Sequence, residues 1–333
     1  MKKLITLEEH YSSAKINQKA EEMLAEDGLS SGFNDAKGGG GEMARLVQNI
    51  DDERIAYMDK MGIDMQVISL AGNVPSTLDA KYSVPLCKEA NDEMEQLTAK
   101  YPGRFAVFAN LPLADGNAMA AELERCVKEK HFVGAMLSGH YHGISYDDPS
   151  FEPLYAKAEE LDVPLYLHPG LVDPQVSEKY YQGSWSPKVS FELAGYGIGW
   201  HYDIGMQVVR MILAGVFDRH PNLKVIIGHW GEVVAYYMDR LDEVKQEDTD
   251  LKKPVSQYFE DNVYVNPSGM TYDANFRYCL EKFGADHILW GQDYPYRFPD
   301  NIRSMLEESD LSNADKEKIA HGNAERLLKL ETE

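Results

Sequence analysis

The residues able to do chemistry fall in four short stretches. Glu8 and His10 end ITLEEH, His168 sits in PLYLHPG, His229 and Glu232 in LKVIIGHWGE, and Asp293 in HILWGQDYP. Each follows a short apolar run of the kind that forms a buried parallel strand, whose C-terminal end is where polar side chains can reach a pocket. Glu8 and His10 are two residues apart, so on a strand both point to one face. Two imidazoles (His10, His168) and two carboxylates (Glu8, Asp293) converging at such ends suit a single divalent ion, Zn²⁺ or, given the share of oxygen ligands, Mn²⁺. A satisfied core polar group explains one such residue readily, and four at strand ends of one barrel poorly. His229 reads either as a fifth ligand or as an acid–base residue hydrogen-bonded to Asp293. Glu232 either joins that chemistry or caps the helix that follows it.

The remaining histidines carry weaker signals. His140 and His142 in SGHYHG follow a strand and could touch a substrate, while His201 in GWHYD begins a helix. His131, His220, His287 and His321 lie at the opposite ends of elements or in connections, where a surface or structural place is the simpler reading.

Eight strand-like runs position these residues: Leu4–His10, Met65–Ala71, Phe105–Pro112, Phe132–His140, Pro164–Pro169, Lys224–Trp230, Val263–Pro267 and His287–Asp293. Helical patterns lie between most of them, at Leu78–Lys100, Ala114–Lys130, Phe191–Arg219, Val233–Lys245 and Tyr272–Phe283. Phe151, Leu154, Tyr155, Ala158 and Leu161 form one further amphipathic stripe. Eight strand–helix units predict an α/β fold of the (β/α)8 TIM-barrel type, because parallel strands need crossovers and a right-handed series can close on itself. No Gly-rich dinucleotide fingerprint follows any strand, which leaves a doubly wound sheet as the alternative.

One barrel domain accounts for residues 1–333, with two connections longer than ordinary βα loops. Residues 11–50 read as an insertion after the first strand, containing a polar helical stretch (Asn17–Ala25) and a flexible glycine run at Gly38–Gly41. Residues 171–200 carry Tyr180, Tyr181, Trp185, Phe191, Tyr196 and Trp200, which suits an active-site loop or a subunit interface. A homo-oligomer, dimer or tetramer, is therefore expected. Ala324, Leu327, Leu328 and Leu330 of the tail are expected to pack onto the barrel.

The net charge of −22 argues against nucleic acid or an anionic membrane as partner. No apolar run is long enough to span a bilayer, and MKKLITLEEH lacks a signal-peptide core. Cys87, Cys126 and Cys279 are too scattered for a metal or redox motif, as expected of free thiols in a cytoplasmic protein.

With these residues assembled, the sequence resembles the amidohydrolase-related, metal-dependent decarboxylases that act on γ-resorcylate, 2,3-dihydroxybenzoate, 5-carboxyvanillate and aminocarboxymuconate semialdehyde. The resemblance is carried by LEEH (7–10), DERIAYMDKMGIDMQVISL (52–70), LYLHPG (165–170), GWHYDIGMQVVRMILAGVFDRHPNLKVIIGHWGE (199–232), GQDYPY (291–296) and HGNAERLLKL (321–330). It implies a mononuclear metal on Glu8, His10, His168 and Asp293, with His229 beside it, and Arg54 and Arg240 meeting a substrate carboxylate. Many amidohydrolases open with His-x-His, and Glu8 in place of the first His resembles the benzoate decarboxylase branch. SGH at the fourth strand supplies no lysine to bridge two metals. The activity implied is decarboxylation of a small anionic hydroxybenzoate, with Asp293 and His229 or Glu232 handling the proton; a metal-dependent lactone or amide hydrolase is the alternative.

Overall fold

The apolar runs fold as short parallel strands because residues such as Val225–Ile227 and Leu165–Leu167 are buried on both faces of the sheet they form. The computed structural model describes residues 1–30, 41–72, 74–244 and 246–330. Its strands are β1 (Ile5–Tyr11), β2 (Met65–Leu70), β3 (Phe105–Val107), β4 (Ala109–Asn110), β5 (Ala135–Ser138), β6 (Leu165–His168), β7 (Val225–Ile227) and β8 (Val263–Val265). They pair in the orders β1-β2-β3 and β4-β5-β6-β7-β8, every ladder parallel.

β3 and β4 are two lengths of one stave interrupted at Phe108, whose N–H still donates to the Ile68 carbonyl (2.9 Å). The remaining gap, between β8 and β1, is spanned by single parallel bridges from Ile288 to Val265 and from Gly291 to Leu7. The strand expected over His287–Asp293 is thus reduced to two bridges, and with them the sheet returns to its first strand as a barrel. Gly291 lies so close to β1 that a Cβ there would sit 2.7 Å from the Leu7 carbonyl oxygen.

Helices at Ala80–Thr98, Gly116–Lys130, Glu152–Leu161, Gly199–Leu213, Val255–Asn262 and Asp273–Phe283 make up most of the outer layer. Phe151, Leu154, Tyr155 and Ala158 of the predicted stripe are buried. Two helix expectations need correction. Phe191–Arg219 is broken at Ile198 (φ −168°) and Gly199, where a Cβ would meet Ala194 backbone atoms, so the long helix is only Gly199–Leu213. The described residues of Val233–Lys245 hold only two short turns, Val234–Tyr237 and Met238–Leu241, and the crossover helix proper comes later at Val255–Asn262. In the insertion, a helix over Ala14–Glu26, capped by Ser13, covers the expected Asn17–Ala25 stretch. The glycine run expected to be flexible lies, except for Gly41, outside the described residues.

Inside the ring, Ile5, Leu7, Val67, Phe108, Met136, Tyr166, Ile226 and Leu289 form one apolar cluster. Ala324, Leu327 and Leu328 of the helix Asn323–Leu328 belong to the same cluster. That helix therefore closes the end of the barrel where the strands begin, leaving the opposite end for polar residues. Leu328→Ala should cost about 2–5 kcal/mol, the usual range for a buried leucine truncation, and lower the thermal midpoint followed by circular dichroism. An unchanged midpoint would show that the tail is dispensable.

Candidate metal centre

The site begins with an irregularity in β1. Thr6 pairs with Gln66 and Glu9 with Ile68, so three steps on β1 match two on β2, and Glu8 takes a left-handed backbone (φ +63°) within that bulge. Glu8 is fully buried, and its Oε2 accepts hydrogen bonds from the hydroxyls of Tyr166 on β6 and Ser268. Oε1 has no hydrogen-bond partner. Nor has His10 Nε2. His10 Nδ1 lies 3.3 Å from Ser69 Oγ on β2. His168 Nδ1 donates to the Pro169 carbonyl (2.7 Å), which leaves the Nε2 lone pair facing the centre.

Distances separate coordination from hydrogen bonding here. Two donor atoms on one divalent ion, each about 2.1 Å from it, lie roughly 3.0–3.4 Å apart. His168 Nε2 is 3.4 Å from Glu8 Oε1, and His10 Nε2 is 3.2 Å from Asp293 Oδ1 without hydrogen-bond geometry. Burial pushes both His10 and His168 down to about 4, against the pull of Glu8, so each presents a neutral imidazole at neutral pH. Burial likewise raises the Asp293 carboxyl to about 7, with His229 opposing the rise. Bare buried donors at these separations fit a divalent cation: Glu8, His10 and His168 bring ligand atoms within 4.8 Å of one another, and so do Glu8, His229 and Asp293. Space for them depends on Gly228, where a Cβ would sit 2.5 Å from Glu8 Oε2 and 2.8 Å from the Tyr166 hydroxyl.

His229 is presented differently. From His229 to Val233 five consecutive residues have positive φ (46°, 59°, 85°, 51° and 65°), a left-handed turn containing one glycine. Each non-glycine residue in that conformation costs roughly 1–2 kcal/mol. The turn is pinned by His229 N–H to Ser268 Oγ (2.9 Å), Trp230 N–H to the Asn266 carbonyl (2.9 Å) and the Trp230 indole to the Met270 carbonyl (2.7 Å). Its curl brings residues three apart together, so His229 Nδ1 meets Glu232 Oε1 at 2.7 Å.

The expected bond from His229 to Asp293 is therefore replaced by one to Glu232, because the turn directs Nδ1 away from the centre. Nε2 stays inside, 3.8 Å from Glu8 Oε1. Burial works to lower His229, but Glu232 and Glu8 outweigh it and hold the imidazole up at about 10. Glu232, which burial would raise, is brought down to about 2 by His229 and His201. The result is an imidazolium–carboxylate pair at the edge of the metal site. Glu232 caps no long helix.

The two arginines are not brought to the centre. Arg54 is fully buried in the wall behind β1, where Nε donates to Gln66 Oε1 and Nη1 to the His10 carbonyl, both 2.7 Å. Its guanidinium also lies over the Tyr294 ring, and only Nη2 lacks a partner. Arg240 is exposed on the turn Met238–Leu241 and pairs with Glu243. His140 is held by Asp203 (2.5 Å) and the Ile144 carbonyl, and His142 lies exposed near Asp79. His220 lies part-buried beside Glu152 and His321 part-buried beside Glu325, His287 donates to the Val263 carbonyl, and His131 ends a helix with φ +58°.

Sequence reading missed Tyr166, Ser268 and His201. Tyr166 was findable, since two residues before His168 on a strand is the same face. Ser268 has no local signal. His201 sits 2.6 Å from Glu232, a contact set by how the helix Gly199–Leu213 lies against the left-handed turn.

The chain belongs to the amidohydrolase family, whose sequence profile matches residues 39–330. It is 35% identical to the decarboxylase orsB of Emericella nidulans over 98% of this chain and 97% of that one. A structure of 2,6-dihydroxybenzoate decarboxylase complexed with 2,6-dihydroxybenzoate superposes with a TM-score of 0.85 at 31% identity, covering 99% of each chain. A dihydroxybenzoic acid decarboxylase from Polaromonas sp. JS666, with bound manganese and the inhibitor 2-nitroresorcinol, gives 0.85 at 30% identity over 100% of this chain and 98% of that one.

Two measurements probe the site. His10→Ala should abolish metal binding in elemental analysis while His140→Ala retains it, and equal loss in both would move the site. Arg54→Met should destabilise by about 1–3 kcal/mol for each of the two buried acceptors, Gln66 Oε1 and the His10 carbonyl, that it leaves without this donor. A raised KM at unchanged thermal midpoint would instead assign Arg54 to substrate.

Proposed function

We propose that this protein is a metal-dependent decarboxylase of a hydroxylated benzoate, holding one divalent ion, Mn²⁺ or Zn²⁺, on Glu8, His10, His168 and Asp293. The observation that carries the reading is the pairing of bare, buried Glu8 Oε1 and His10 Nε2 with a charged His229–Glu232 couple 3.8 Å away. The solved relatives with 2,6-dihydroxybenzoate or manganese support it.

Direct cleavage of an aryl carbon–carboxylate bond would leave an unstabilised carbanion. Protonation of that carbon, assisted by an ortho hydroxyl, gives a keto tautomer from which CO₂ leaves with its bonding electrons returned to the ring. A divalent ion held by the four residues would supply Lewis acidity toward the carboxylate and the neighbouring phenolic oxygen. The chain's own residues supply the proton: Asp293 is its donor, and His229 with Glu232 sets the charge beside it. Hydrolysis would put no proton on carbon.

The assembly proposed is a homodimer or tetramer. Tyr202, Met206, Tyr236 and Tyr237 expose large apolar area, and Arg240 lies on the short turn directly after Tyr237, from where it would serve a neighbouring subunit's carboxylate. Among the described residues no helix is long and apolar enough to cross a membrane, and three buried free cysteines suit the reducing cytoplasm proposed here.

Assay of a hydroxybenzoate and lactone panel should show CO₂ release without hydrolysis, and turnover in heavy water should place one deuterium on the vacated ring carbon. Asp293→Asn should abolish turnover, and His229→Asn should keep the metal while lowering kcat by about two to four orders of magnitude. Near-normal kcat in His229→Asn, with loss in Glu232→Gln, would transfer the proton to Glu232. Arg240→Ala should lower kcat/KM by roughly 10- to 100-fold, the scale of one charge-assisted contact; unchanged kinetics would leave it a surface residue.

A further inference from the structure

His201 lies outside the metal centre but makes the shortest contact to its acid–base couple. Its Nδ1 is 2.6 Å from Glu232 Oε2, while His229 Nδ1 is 2.7 Å from Oε1 of the same carboxylate. The two imidazole rings are 4.4 Å apart between centroids. These separations are too short for a second metal ion, whose ligands would stand roughly 3.0–3.4 Å from each other, and they suit charge-assisted hydrogen bonds. Glu232 is fully buried and both its oxygens are committed. Without His201, Oε2 would be a buried, unsatisfied anion, and the carboxylate would be free to rotate away from His229.

The far side of His201 is equally tied. Nε2 is 3.1 Å from the Trp200 indole nitrogen and 3.1 Å from the Tyr196 carbonyl. A bare Nε2 accepts from Trp200, and a protonated Nε2 donates to Tyr196, so the ring keeps its orientation in either state. Tyr196 belongs to the aromatic connection before the helix Gly199–Leu213, and Trp200 to the first turn of that helix. The charged or titratable groups facing His201 are Glu232 and His229, with Asp293 the next within electrostatic reach.

We propose that His201 is a positioning residue: it locks the Glu232 carboxylate in the rotamer that orients His229, and so ties the catalytic couple to the aromatic loop through Tyr196 and Trp200. The kinetic part of the inference rests on the decarboxylase reading; the geometric part does not. In His201→Leu, kcat should fall roughly 10- to 100-fold, the usual loss when an orienting partner is removed, while metal content stays at the wild-type level and KM moves by less than about threefold. His201→Asn, whose amide nitrogen falls near the position of Nδ1, should recover most of the loss.

A second readout needs no turnover. In the metal-loaded protein, the proton of His229 shared with Glu232 should give a downfield NMR signal, assigned by its absence in His229→Asn. It should persist in His201→Asn and shift or broaden in His201→Leu. An unchanged signal and unchanged kcat in His201→Leu would overturn the proposal. So would parallel loss of metal, kcat and the signal in both variants, which marks a merely structural residue. If the wild type releases no CO₂ from any hydroxybenzoate, the decarboxylase reading fails, and the proton signal alone decides the role of His201.

Discussion

A carboxylate with no exposed surface sits at the mouth of the barrel, and most of the surrounding structure is arranged around it. A buried anion is tolerated only when its oxygens are met by donors or by a cation. One oxygen of Glu8 is met by the Tyr166 and Ser268 hydroxyls, and the other is left bare toward His168 and His229. The bulge in β1 aims the side chain, and Gly228 keeps the space beside it clear. The bare oxygen with two depressed imidazoles makes the centre a cation site by electrostatics before any ion is considered.

The same mouth concentrates backbone strain. Glu8, His229, Trp230, Glu232, Val233, Ser268 and Asp293 all have positive φ without being glycine. Several kcal/mol of unfavourable conformation are thereby stored in and around the residues proposed to do the chemistry. The apolar interior and the helices around it supply the stability that offsets this, and the hydrogen bonds that His229 and Trp230 donate to Ser268, Asn266 and Met270 keep the left-handed turn from relaxing.

This division explains what was legible in the sequence. Strand runs and the ends where polar residues sit are local, period-two signals, so Glu8, His10, His168 and Asp293 stood out as candidates at strand ends, and the barrel was inferred from the repeated strand–helix units. The helix over Val233–Lys245 was misread because its pattern is apolar, while the preceding residues wind the opposite way for reasons of tertiary contact that no propensity encodes. Arg54 matched a family motif, yet whether a guanidinium points into a pocket or into the wall behind it depends on Gln66 and the His10 carbonyl, twelve or more residues distant in sequence. The contact made by His201, seen only as a residue beginning a helix, and that made by Ser268 were invisible because their partners lie 31 and 260 residues away.

The bridge between Leu7 and Gly291 has a consequence for biosynthesis. Contacts that span almost the whole chain are slow to form and cannot form until both ends exist. While the chain emerges from the ribosome, β1 has β2 to pair with, but its other edge and the apolar barrel interior stay open until the segment around Gly291 follows. Glu8 and His10 therefore wait for Asp293 until more than 280 further residues have been made. The nascent protein should be most in need of chaperone protection in that interval, when an unpaired strand edge and an uncovered core are exposed together.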